Sequence, residues 1–293
     1  MSFNEQYQKI LNIVKDDIEQ INKRLILHID INEPIKTNLL NFLTAPSKRI
    51  RSLLAILYLK ANNISIKEKH YDFLTAIELI HNASLIHDDI IDESSTRRLQ
   101  KTLNTELGNK LAVISGDYLL SLAMAEIGKL NSFELIEILS KTLENMCKGE
   151  VFQQINKFKI PSLEEYLLKS EQKTASLFQS TLTGSILIND CNTIKNTSEF
   201  GLNFGLAFQI RDDLKNVISY CETRSIQSDI SDGIYNAPVI FAGNIYDLKA
   251  GIEKTYGLLN NYIDKSLELI KDSLEENQYT RTIMELLELI RDE

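Results

Sequence analysis

The sequence predicts an all-α protein, on three observations. Apolar residues recur at helical spacing through most of the chain, period-two alternation with β-branched residues is nowhere sustained, and only four prolines interrupt 293 residues. These are Pro34, Pro46, Pro161 and Pro238, so long uninterrupted helices are permitted almost everywhere.

The expected elements follow in order. Leu11, Val14, Ile18 and Ile21 mark an N-terminal helical stripe that gives out before Pro34, and further breaks fall at Ala45-Pro46 and Asn62-Asn63. Phe73, Leu74, Ile77 and Ile80 form the next stripe. Similar stripes run through residues 111–127, 133–146, 163–188, 200–218, 258–270 and 283–290. Polar breaks separate them at 94–105, at 159–162 and at 224–238, the last an irregular segment of the kind that covers a site. No Gly/Ser/Pro-rich linker divides the chain, so a single domain over 1–293 is expected.

Composition narrows the function. Apolar residues make up 43% of the chain, enough for a large core. A net charge of −9 argues against nucleic acid as a partner, which needs a basic face. Positive charge is nevertheless concentrated in "SKRIR" (Ser47 to Arg51) and "RRLQK" (Arg97 to Lys101). The longest clean apolar run, residues 53–59, is far below the ~18 residues of a membrane span, so none is expected. The opening "MSFNEQYQKI" lacks the order of a signal peptide. Cys147, Cys191 and Cys221 are odd in number, far apart and without His at metal spacing, and are expected to be reduced, buried packing residues of a cytoplasmic protein.

Two acidic clusters carry the chemistry. In "SLIHDDIIDESSTRR", Asp88 and Asp92 fall on one helical face a turn apart, with Asp89 beside them and His81 and Ser84 on the same stripe. In "FQIRDDLKN", Asp212 and Asp213 repeat the pattern with Gln209 a turn below. Like charges at i and i+4 cost helix stability, so a cation is expected to repay them. Facing each other across a bundle, the clusters would make an oxygen-rich site for Mg²⁺, a hard ion that shares its shell with water and phosphate oxygens. One such cluster alone would fit an exposed acidic helix end about as well.

The combination resembles the trans-polyprenyl diphosphate synthases, the polyprenyl synthetases that condense isopentenyl diphosphate with an allylic diphosphate. The shared motifs occur in the family's order: "SKRIR", "IHNASLIHDDIIDESSTRR", "GDYLL" (Gly116 to Leu120), "KTASLF" (Lys173 to Phe178), "FQIRDD" and a loop ending at Pro238. The resemblance implies a bundle of long antiparallel helices around a central cavity, and a homodimer. It implies Asp88, Asp92 and Asp212 as the main Mg²⁺ ligands, with Asp89 and Asp213 as supporting carboxylates. Arg97 matches the allylic diphosphate contact, and Lys48, Arg51, His81 and Arg98 match the isopentenyl diphosphate site. Lys173 is implied on the leaving diphosphate, and Thr174 and Gln209 facing the carbocation.

Several positions depart from the family pattern. Asn216 stands where a third Asp is usual, Pro46-Ser47 replaces a glycine pair, and Leu99 replaces a glycine. The two loop lysines fall on Arg224, which keeps the charge, and Ile234, which loses it. A terpene cyclase would need an Asn/Ser/Glu metal motif that "RDDLKN" does not supply, and silent partner subunits tend to lose the first acidic motif, which this chain keeps. A short-chain synthase, or a subunit of a heteromeric synthase, is the alternative. Product length turns on Ala83 and Ser84, small residues where short-chain members carry aromatics; with Ile80, Ile77, Leu119 and Leu122 as candidate tunnel floor, they imply an all-trans hexaprenyl to octaprenyl product.

Overall fold

The computed structural model describes residues 3–27, 29–98, 100–189, 196–223 and 229–292, which are helical almost throughout. The chain runs through α1 (Phe3–Ile13), α2 (Lys15–Leu27), α3 (Ile35–Thr44), α4 (Ile50–Ala61) and α5 (Glu68–Ile91). A small hairpin of β1 (Thr96–Arg97) and β2 (Gln100–Lys101) leads into α6 (Leu103–Leu107), α7 (Asn109–Lys129) and α8 (Phe133–Ile155). Then come α9 (Leu163–Ser170), a π-helical segment (Glu171–Ala175), α10 (Ser176–Leu187), α11 (Thr197–Thr223), α12 (Ala237–Ala242), α13 (Lys249–Ser273) and α14 (Gln278–Asp292). These elements fall into two compact units, Leu11–Ile136 and Met1–Ile10 with Glu137–Glu293.

Local chemistry sets the boundaries. Pro34 lies between α2 and α3, Ala45 is the C-cap of α3, and Asn62 caps α4 ahead of a left-handed Asn63. Asn adopts that conformation at little cost. Ser162 and Glu165 form a reciprocal capping box at the start of α9, with bonds of 2.8 and 3.2 Å. The polar stretch after α5 is not a plain loop: it pairs Thr96 with Lys101 and Arg97 with Gln100.

In the Leu11–Ile136 unit, α4 is sunk into the core, which is why residues 53–59 are apolar on every face. The unit's most extensive helix pairing joins α5 to α7. At Gly116 a Cβ would meet the His87 ring of α5 at 2.2 Å, so a side chain there would have to turn that imidazole aside. α7 alone among the described residues is long and apolar enough to cross a membrane by length and composition; its interspersed Gly, Ala and Ser hide this from a search for clean runs. Beneath the basic motif, Arg49 is buried and tied to Glu78 at 3.3 Å, to the Leu43 carbonyl at 2.7 Å and to Asn22 at 3.0 Å. Ser52 donates to the other Glu78 oxygen at 2.7 Å.

In the other unit, α11 is the hub, packing on α10, α13 and the π-helical segment. Gly205 of α11 is essential to that last contact, since a Cβ there would lie 2.6 Å from the Ala175 Cα. Cys147 and Cys221 are exposed rather than buried, because each falls on the outer face of its helix, and Cys191 lies outside the described residues.

Two outcomes follow for stability. Glu78→Leu leaves Arg49 buried without its carboxylate and is expected to cost about 3–5 kcal/mol in chemical denaturation. Adding Arg49→Met is expected to return part of that loss, and a double variant no more stable than Glu78→Leu contradicts the pairing. Gly205→Ala must displace backbone rather than a flexible side chain, so a loss of about 1–3 kcal/mol is expected, where an exposed helical Gly→Ala would gain stability.

Candidate active site

The first acidic motif closes α5. Asp92 is the C-cap, its N–H donating to the Asp88 carbonyl at 2.8 Å, so the two carboxylate residues stack one turn apart as the spacing predicts. They sit at the negative end of a 24-residue helix, where anions are disfavoured and a cation is welcome. Asp89 turns the other way. It is 2% exposed, and its Oδ1 accepts a 2.8 Å bond from Arg97 Nε on the hairpin. Burial pushes the Asp89 carboxyl above the usual carboxylate range, against the pull of Arg97. Its Oδ2 is buried with no hydrogen-bond partner among the described residues.

The basic residues gather around His81. Burial, and then the charges of Arg51, Arg98, Arg49 and Arg97, hold that imidazole well below its ordinary pKa. It is therefore neutral and able to offer one donor and one acceptor. Arg98 adopts a left-handed backbone and reaches Ser47 at 3.5 Å; burial and the neighbouring Arg49 and Arg97 lower its pKa too. Lys48 is partly exposed at the start of the same motif. A recess of ≈ 440 Å³ opens beside Arg97, Arg98 and Lys101, against Asn38 and Phe42 of α3. Crowded guanidinium groups in a recess form a site for a multiply charged anion.

The second acidic motif, on α11, divides in the same way. Asp212 keeps 45% of its side chain exposed and contacts Arg211. Asp213 is buried: Tyr166 donates to its Oδ2 at 2.6 Å and Gln209 Nε2 to its Oδ1 at 2.8 Å. Burial raises the Asp213 pKa against the pull of Lys169, Tyr166 and Gln209. Gln209 Oε1 in turn accepts the Thr174 hydroxyl proton at 2.6 Å. The structure thus links Thr174, Gln209 and Asp213 into one chain, with the Thr174 lone pairs directed away from Gln209. Lys173 pairs with Glu150 of α8, whose other oxygen accepts from Gln154 at 2.7 Å.

Lys173 and Thr174 lie on the π-helical segment rather than on ordinary helix. The extra residue per turn re-aims side chains, a device frequent at functional sites. Nothing in the helical stripe signals it. Sequence reasoning also missed Arg49, Glu78, Tyr166, Lys169, Asp229 and Asn236. Tyr166 and Lys169 do carry a signal, standing seven and four residues before Lys173 on one helical face. Asn216, where a third Asp is usual, uses its carbonyl to accept the Asp229 N–H at 3.2 Å. Asp229 is itself partly buried, and its loss of solvation and the nearby Asp213 push its pKa up to about 7. Ala83 is fully buried on α5, and Ser84, partly exposed, donates to the His81 carbonyl at 2.8 Å. Arg224 lies outside the described residues.

No group of three His, Cys, Asp or Glu side chains gathers tightly enough among the described residues to cage a metal unaided. The donors present still fit a hard divalent ion: they are carboxylate oxygens only, one is an unpartnered buried oxygen, and Mg²⁺ ordinarily keeps waters and substrate oxygens in its shell.

Comparison with known proteins agrees with this chemistry. The family described as "Polyprenyl synthetase" matches residues 32–272. A "Prenyl transferase" of Cyanidium caldarium is 35% identical over 242 residues, covering 80% of this chain and 75% of the relative. "Solanesyl-diphosphate synthase 2, chloroplastic" of Oryza sativa subsp. japonica is 32% identical over 244 residues, covering 80% and 60%. The crystal structure of a polyprenyl synthase from Caulobacter crescentus CB15, complexed with calcium and isoprenyl diphosphate, superposes with a TM-score of 0.87 at 22% identity, covering 98% of both chains. With its motifs, its all-α fold and these relatives in agreement, the chain belongs to the polyprenyl synthetase family, and is an enzyme of the trans-prenyltransferase class.

Proposed function

We propose that this chain, as one polyprenyl synthetase domain over 1–293, condenses isopentenyl diphosphate with an allylic diphosphate in a Mg²⁺-dependent reaction, giving an all-trans product in the hexaprenyl to octaprenyl range. The observation that carries the reading is the Asp89–Arg97 contact, which sets a diphosphate-binding guanidinium directly beside paired carboxylates. When bound, Mg²⁺ would supply positive charge to offset that of the departing pyrophosphate, which takes the electron pair of the broken C–O bond. Asp88, Asp92 and Asp212 are the carboxylates that would hold it, while Asp89 and Asp213 would steady them from within the fold.

The remaining steps belong to the chain's own side chains. Arg97 and Lys173 hold the allylic diphosphate. Lys48, Arg51, Arg98 and neutral His81 hold the isopentenyl diphosphate. Thr174 and Gln209 present oxygen lone pairs to the allylic cation, stabilising it without attacking it. The isopentenyl double bond adds to that cation, and released pyrophosphate takes the proton that restores a double bond. The small pair Ala83 and Ser84, one turn below Asp88, supports a long product, as does a relative named for solanesyl diphosphate. Exposed Phe133, Ile136, Val151 and Ile155 along α8 support a homodimer. Two free cysteines, Cys147 and Cys221, support a reducing compartment, the cytoplasm.

Asp88→Ala and Asp212→Ala are each expected to lower kcat about a hundredfold or more, since each removes a metal ligand used at ionisation. Full Mg²⁺-dependent activity in either variant contradicts the metal assignment. Ala83→Phe or Ser84→Phe is expected to shorten the product, read by chromatography of the dephosphorylated alcohols. One helical turn of ~5.4 Å is close to the reach of one extended isoprene unit, so a ring there closes the path early. An unchanged distribution in both variants, at normal initial rate, removes the argument for a long chain.

A further inference from the structure

Lys169 of α9 is a charged residue that the reaction described above does not use. It is 8% exposed, and its ammonium donates to Asn236 Oδ1 at 3.1 Å. Asn236 Nδ2 donates to Asp229 Oδ2 at 2.7 Å, and the Asp229 N–H donates to Asn216 Oδ1 of α11 at 3.2 Å. Four polar side chains from α9, α11 and the segment before Pro238 thus form one continuous line. The segment has its own internal order, with Ile234 N–H bonded to the Asp229 carbonyl at 2.7 Å and Phe158 N–H to the Gly233 carbonyl at 2.8 Å. Ile230 packs in a cluster with Val217, Val239 and Leu248.

Burying this line is expensive without its cation. Asp213 is buried and Asp229 partly so, and both lie close enough to Lys169 to feel its charge, so the ammonium offsets two carboxylates drawn away from water. The same helix carries Tyr166, bonded to Asp213, and continues directly into the π-helical segment with Lys173 and Thr174. Two of the departures from the family pattern also fall here: Asn216, where a third Asp is usual, anchors a backbone N–H, and Lys169 supplies charge at Asn236, two residues from Ile234, where a loop lysine is usual.

We propose that Lys169, Asn236, Asp229 and Asn216 form a polar tie, buried at Lys169 and Asn236, that positions the 229–236 segment and the π-helical segment, so that Lys169 is a positioning residue for the ionisation step. Its catalytic part rests on the proposed prenyl transfer, but the tie itself can be tested without activity. Asn216 is on this account an anchor rather than a weakened metal ligand. The tie contains none of the residues proposed to hold isopentenyl diphosphate, so its loss is expected to act on kcat and to spare that substrate's KM.

The test uses the full chain and two readouts. In hydrogen exchange of the metal-free protein, Lys169→Met is expected to speed exchange at the Asp229 and Ile234 amides at least tenfold, with helices away from the tie unchanged. In steady-state assays it is expected to lower kcat tenfold or more while KM for isopentenyl diphosphate stays within twofold. Lys169→Arg should keep at least half of kcat. Adding Asp229→Asn to Lys169→Met removes the uncompensated carboxylate and should bring kcat to within about threefold of wild type. Should Lys169→Met fail to fold, Asn216→Ala and Asn236→Ala are expected to give the same exchange and kcat signature at smaller size. Unchanged amide exchange overturns the tie, and faster exchange with kcat and KM unaltered overturns its catalytic role. An additive double variant does the same. A wild-type chain that elongates no primer, with the exchange result intact, would instead count against the proposed prenyl transfer alone.

Discussion

Neighbouring carboxylates on a helix point about 100° apart, so an Asp-Asp pair beside a core sends one side chain inward. Both acidic motifs show the consequence. Asp89 and Asp213 are buried at 2% and 3% exposure, whereas Asp88 and Asp212 reach solvent. An inward carboxylate must be bonded or it destabilises the fold, and the protein answers differently in each unit. Asp89 takes an arginine from the hairpin. Asp213 takes a tyrosine, a glutamine and a nearby lysine. The partners demanded by burial are therefore also the groups that bring the hairpin and the π-helical segment to the outward carboxylates.

The basic cluster follows the opposite logic. Arg49 spends its charge inside the fold on Glu78, and its left-handed backbone turns the chain into α4. Arg98 and His81 are held below their ordinary pKa values by burial and by one another's neighbours, an arrangement that costs free energy in the empty protein. A diphosphate held there, as proposed, would repay that cost on binding. This is electrostatic preorganisation, with repulsion among guanidinium groups balanced by an anion they share.

Much of this was legible in the sequence because it rests on local chemistry. Helical periodicity, the prolines, the Asn62-Asn63 stop and the Ser162 cap are short-range signals, and the helices fall where those signals put them. The outward carboxylates and the arginines were legible because their spacing is unusual for a plain helix. Their inward partners were not. Glu78 and Glu150 look like any helix glutamate, and only packing reveals that one is locked on Arg49 and the other on Lys173. The π-helical segment has no composition signal, and the close approach of Gly205 to Ala175 that accompanies it is a matter of packing. Asn216 stood out only as a departure from a usual Asp, because its bond partner lies thirteen residues away across a turn. The cysteines read as buried by residue type alone, although helix register turns Cys147 and Cys221 outward.

The central claim is that the paired carboxylates and the arginine cluster serve one condensation. It is tested most directly by incubating the purified chain with labelled isopentenyl diphosphate, allylic primers of graded length and Mg²⁺, then sizing the products. The account predicts elongation that is abolished by chelation, restored by Mg²⁺, and carried past geranylgeranyl length. No elongation from any primer, with the protein folded and Mg²⁺ present, would contradict it.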